Sequence, residues 1–207
     1  MPAFIPDAIA ARTSFTRKVT PAELYTSLVF AFPAAVAFAR NRRKPTVPHA
    51  FLERVQLAVT AVSACAVCSY VHSRMALEMG LSEDEITGYL TGSIDDPDPA
   101  EAKALLFAEH FAETRGEPSA AAYAAFVDAY GPAKSRILLA AMQLMLAGNL
   151  IGLPLSARRA RRNGAPYTDS SVGYEWGMVL GFWAMLPLAL GHAFVRGLLQ
   201  RPAVRTN

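Results

Sequence analysis

Apolar residues recur at intervals of three and four along most of the chain, and alternating Val/Ile/Thr runs closed by Asn-Gly or Asp-Gly turns are missing. The pattern predicts an all-α protein, a multi-helical bundle. Thr20-Pro21-Ala22-Glu23 sets a capping hydroxyl, a proline at the first helical position and a glutamate at the third, opening a helix to about Ala39 that Pro33 is expected to kink. Arg40, Asn41, Arg42, Arg43 and Lys44 read as a solvated linker, and Pro45 and Pro48 confine the chain before a helix starts near His49. From Phe51 the apolar pattern runs to Met79, where Gly80 supplies a left-handed stop.

Ser82-Glu83-Asp84-Glu85 is a second capping box, opening a short helix toward Leu90 that Gly92 ends, and Asp95 to Pro99 reads as a turn. Helical pieces are expected over Ala100–Arg115, Ser119–Tyr130 and Pro132 to about Ile151, the first two stopped by Gly116 and Gly131. A basic turn with Arg158, Arg159, Arg161 and Arg162 follows, ending at Gly164, and after a polar loop over Tyr167–Ser171 comes a last apolar helix. Short connections suit one bundle-like domain over 1–207. Within it, 21–45 form an amino-terminal helix and basic linker, 46–163 the core, and 164–207 an apolar carboxyl-terminal helix.

Composition narrows the class. The 207 residues are 53% hydrophobic and 18% charged, which suits a folded chain with a sizeable core, and a net charge of +3 is too small to indicate nucleic-acid binding. Two cysteines do not make a disulfide framework, and the first residues lack the basic and apolar regions of a secretory signal. The expected compartment is a reducing cytoplasm. Trp176 to Val195 qualifies this, since these residues carry no formal charge apart from the titratable His192 and are as many as a membrane span requires.

The segment from Glu53 to His72 carries the candidate chemistry. On one continuous helix at about 100° per residue, Cys65, Cys68 and His72 would lie within about 60° of one another, so both thiols and the imidazole share a face. Residues three apart on a helix are close enough for a reversible disulfide. A helix amino end and a neighbouring histidine both lower a thiol's pKa, and Ser63 would cap such an end if the long apolar run breaks there. His72, four residues after Cys68, can exchange the thiol proton, and Glu53 can orient that imidazole across a packed contact.

Glu53, Cys65, Cys68 and His72 at these spacings, followed by Gly80-Leu81-Ser82 and an acidic helix, resemble the AhpD-like alkyl hydroperoxidases of the carboxymuconolactone decarboxylase superfamily over roughly residues 46 to 160. The resemblance implies a thiol-dependent peroxidase in which Cys68 is oxidised by an organic hydroperoxide and Cys65 resolves the sulfenic acid as a disulfide. It also implies a proton relay through His72 and Glu53. An external dithiol, a thioredoxin-like or lipoyl protein, would reset the pair. Two positions depart from the family pattern: Val67 stands where a relay histidine precedes the second cysteine, and Ser63 where an asparagine is common.

Other readings of the same residues are a general thiol–disulfide oxidoreductase, a decarboxylase-type enzyme, and a membrane-associated protein whose cysteines sense redox state. The decarboxylase branch does not rely on a redox thiol pair. Zinc is disfavoured because one helix face cannot surround an ion and no second Cys/His pair is present, and no cofactor is implied. His110, His192 and Tyr70 read as core residues. Gly177 and Gly181 form a small-xxx-small pattern in the last helix, which is expected to be covered in a homo-oligomer or in membrane.

Overall fold

The computed structural model describes residues 5–94 and 97–207, and its elements are all helical. In chain order they are α1 (Asp7–Ala10), α2 (Pro21–Arg43), α3 (His49–Ser63), α4 (Ala66–Glu78), α5 (Glu83–Thr91), α6 (Pro99–Glu113), α7 (Ala120–Arg162) and α8 (Val172–Leu198). Both capping boxes form: Thr20 and Ser82 each accept a backbone N–H from the glutamate three residues on, which returns a bond to the cap's own N–H. Such a cap is worth about 1 kcal/mol. Of the turn expected at Asp95–Pro99, Asp95 and Asp96 lie outside the described residues, Asp98 caps α6 and Pro99 is its first residue.

Two expectations about helix ends are corrected. α2 does not stop near Ala39: it continues past Pro33, whose ring is exposed, to Arg43. The supposed linker is the last turn of that helix, where Arg40, Arg42 and Arg43 suit the negative end of its dipole. Asn41 is buried and takes the following chain round, accepting from Thr46 N and Val47 N and donating to Val47 O. Likewise α7 does not end near Ile151 but runs through a buried Pro154 to Arg162, so the basic turn is helical. Arg161 there pairs bidentately with the buried Glu175 of α8.

Gly131, at φ 71° and ψ 162°, bends α7 where two helices were expected to meet. Beyond that bend α7 is the central helix, packed by α3, α4 and α6 on one side and by α2 and α8 on the other. Leu138, Leu139 and Met142 of α7 are fully buried among the core that also holds Leu24, Leu52 and Phe111. The bundle therefore has two layers clasping one helix, and the cysteines lie in the first.

Candidate functional site

The apolar run from Phe51 breaks within the motif. α3 ends at Ser63, Ala64 takes a left-handed conformation at φ 48° and ψ 44°, and Cys65 is the N-cap of α4. Ser63 is therefore not the cap. The cap is the Cys65 sulfur, which accepts the backbone N–H of Cys68 at 3.3 Å. Cys68 and His72 lie on α4 and Cys65 just ahead of it, so the expected convergence is reached by a turn rather than along one continuous helix.

Both cysteines are free, and their sulfurs are 2.6 Å apart. Cys65 is 0% exposed and Cys68 7%, which makes Cys68 the nearer to solvent. α7 forms the roof. The Cys68 thiol donates to Gly148 O at 3.6 Å, and Ser156 Oγ accepts from Val67 N, donates to Gly152 O and stands 3.9 Å from the Cys65 sulfur. A Cβ on Gly152 would lie 2.5 Å from both sulfurs, so only glycine lets α7 sit this close. Asn149 and Thr60, both fully buried, tie α7 to the end of α3.

Electrostatics divide the two thiols. Burial pushes the Cys65 thiol up, but hydrogen bonds from the Cys68 thiol, the Cys68 and Val67 N–H groups and Ser156 outweigh it and bring Cys65 below its ordinary value. Cys68 is pushed well above its own by its contact with Cys65, by burial and by the charge on Cys65. Of the two thiols, Cys65 at the amino end of α4 is therefore the one that ionises first.

Glu53, 1% exposed on α3, meets His72 with Oε1 2.6 Å from Nδ1. The imidazole is one helical turn beyond Cys68, and among the described residues it makes no hydrogen bond to either sulfur. A cavity of about 260 Å³, lined by Ala66, Val67, Ser156, Arg159 and Tyr167 among others, reaches the amino end of α4. Val67 lines it where the family resemblance expects a histidine. Among the described residues no group of three or more His, Cys, Asp or Glu side chains is placed to hold a metal ion.

All four residues singled out from sequence are therefore gathered between α3, α4 and α7, as a sulfur pair and a carboxylate–imidazole pair. Sequence reasoning missed Gly148, Gly152 and Ser156. Their signal was present as small residues at every fourth position of an otherwise Leu- and Met-rich helix, the spacing that strips one face of side chains. Of the residues read as core, His110 is half-buried and accepts from Ser119 N. His192 is instead exposed and paired with Tyr25 OH, and Tyr70 is 38% exposed, because α8 and α4 each leave one side uncovered.

No curated protein and no solved structure matches the chain. A family model described as the carboxymuconolactone decarboxylase family matches residues 28–110, beginning within α2 and ending within α6, so the α7 roof lies beyond the matched part. That matched segment carries Glu53, Cys65, Cys68 and His72, and over it the chain is similar to the carboxymuconolactone decarboxylase family, the superfamily of the AhpD-like proteins.

Proposed function

We propose that the chain is a thiol-dependent peroxidase that reduces organic hydroperoxides with the Cys65–Cys68 pair. The observation that carries this reading is the pair of free sulfurs 2.6 Å apart at a helix amino end. Two thiols held so close can become a disulfide with little backbone movement. Cys68 is the attacking residue because it is nearer to solvent, and Cys65 the resolving one.

The chemistry begins with a proton transfer. Cys68 gives up its proton to the relay of His72 and Glu53, and the Cys68 thiolate attacks a peroxide oxygen, breaking the O–O bond. Sulfur gains a hydroxyl as sulfenic acid, and the departing alkoxide takes a proton and leaves as the alcohol. Cys65 then attacks the Cys68 sulfur, forming the disulfide and releasing water. The sum is two thiols and one hydroperoxide giving one disulfide, one alcohol and one water. An external dithiol, of thioredoxin-like or lipoyl type, returns the pair to thiols and is itself oxidised to a disulfide. His72, oriented by Glu53, supplies and recovers protons as a general acid–base group.

The experiment is a titration of free thiols after one equivalent of an alkyl hydroperoxide. The native chain is expected to lose two thiols, and Cys65→Ser to leave a trappable sulfenic acid on Cys68. His72→Ala should slow thiol loss about 10²-fold or more. Normal peroxide turnover in Cys68→Ser would reject the assignment. A chain inert to hydroperoxide that nonetheless exchanges disulfides with a dithiol protein would be a general thiol–disulfide oxidoreductase, the reading that the lowered Cys65 thiol favours.

A further inference from the structure

α8 is covered on one side only. Taken at about 100° per residue, Trp176, Leu180, Trp183, Pro187, Leu190 and Phe194 fall in one arc and are all exposed, whereas Glu175, Met178 and Ala189 face inward. Trp183 is 65% and Phe194 67% exposed. No Asp, Glu, Lys or Arg interrupts the chain from Trp176 to Val195, which at 1.5 Å per residue is an apolar strip about 30 Å long. Contiguous apolar surface of this extent marks an interaction face.

Both ends of the strip are basic. At its carboxyl end Arg136 of α7, Arg196 and Arg201 line one cleft beside Ala34 and Ala37 of α2, and Arg136 shares a neighbouring cleft with Arg40, Arg43 and Lys44. Among the described residues neither cleft has an acidic side chain in its lining. At the amino end, the Arg158 guanidinium lies 3.6 Å from the centroid of the Trp176 ring, with Arg159 and Arg162 in the same final stretch of α7.

We propose that this face docks on an anionic lipid bilayer, with α8 lying in the plane of the interface, its exposed arc in the acyl boundary and the terminal arginines on headgroup phosphates. Charge selects this occupant over a second copy of the chain. Because both ends of the strip are basic, pairing α8 with α8 in either direction sets cations against cations, whereas anionic headgroups neutralise both ends. Spanning is disfavoured by the other layer of the bundle: α4 and α6 carry exposed Arg74, Glu78, Lys103 and Glu113, which a bilayer enclosing α8 would draw into hydrocarbon. One apolar face with cationic margins is the arrangement of an interfacial helix.

The chain's two tryptophans both lie on this face, so its intrinsic fluorescence reports the event directly. The test mixes the full chain with vesicles of phosphatidylcholine alone or with about 30 mol % phosphatidylglycerol, followed by flotation and tryptophan emission. The chain is expected to float with the anionic vesicles, its emission shifting to the blue and quenched by brominated acyl chains, and to be released by about 0.5 M salt. Leu180→Glu with Leu190→Glu should abolish flotation without changing helicity or thiol titre. Arg40→Glu with Arg43→Glu should weaken partitioning more than tenfold, at about 1 kcal/mol per cation. Failure to float, or equal binding to neutral vesicles at high salt, would overturn the proposal. So would a lipid-free dimer with blue-shifted emission that Leu190→Glu converts to a monomer, for then a second copy covers the face.

Discussion

The two thiols differ by one backbone bond. Cys65 sits ahead of the first turn of α4 and receives the Cys68 N–H, while Cys68 is already inside the helix and donates to Gly148 O on α7. Free cysteine titrates near about 8.5. Thiolate absorbance at 240 nm should therefore begin to rise at lower pH in the folded chain than in the unfolded one, and Cys65→Ser should remove this early step. The sign for stability follows from proton counts. With the folded Cys65 below its unfolded value, the folded state binds fewer protons between the two, and stability rises with pH through that window. Cys68 has the opposite sign: above its ordinary value the unfolded chain releases a proton that the folded chain keeps, and stability falls. Gly152 matters at the same scale. In Gly152→Ala the new Cβ would stand 2.5 Å from both sulfurs, so the helix or the thiols must shift, costing about 1–3 kcal/mol and slowing disulfide formation at least tenfold. Gly148→Ala, whose Cβ meets nothing within 4 Å, is the neutral control. Equal rates for the two variants would show that the close approach is not required.

At the scale of elements, the break between α3 and α4 is what makes a site out of a motif. On one straight helix Cys65 would have neither the cap position nor the bond from Cys68 N. Ala64 makes the turn in a left-handed conformation that costs an L-residue about 1–2 kcal/mol, and strain of this kind collects at functional sites. Ala64→Gly should relieve it, and after the larger chain entropy of glycine the net gain is about 0.5–1 kcal/mol, read as a higher urea midpoint. A lower midpoint would mean that the alanine methyl contributes more by packing than its conformation costs.

The sequence made the helix class, both capping boxes and the glycine stops legible, because these signals are local. It did not show the helical state of Arg40–Arg43 or Arg158–Arg162, where charge suggests solvent but tertiary partners decide. Asn41 turns inward to hold the next loop, and Arg161 finds the buried Glu175. Glu53, Cys65, Cys68 and His72 could be read from spacing. Gly152 and Ser156 approach them from about ninety residues away, a distance that spacing alone does not bridge.

For the whole molecule, α7 is the long helix that both layers pack against. One layer brings α3 and α4 against its small-residue face and holds the thiols. The other, α2 with α8, is fastened by the segment ahead of α2, where Phe15 N bonds the Asp169 carboxylate and Tyr174 OH donates to Val19 O while accepting from Val19 N. Val19 is 1% exposed, so removing that hydroxyl leaves a buried donor and a buried acceptor unpaired. Each orphaned group costs about 1–3 kcal/mol, less whatever water can enter to repair. Tyr174→Phe should therefore lower the free energy of unfolding by about 2 kcal/mol, in a chain whose thiols still titrate and close as in the native protein. The two readouts test the division itself. If the variant lost thiol reactivity in proportion to stability, the layers would be one cooperative unit, and charge or lipid at the α8 face would be felt at the sulfurs through α7.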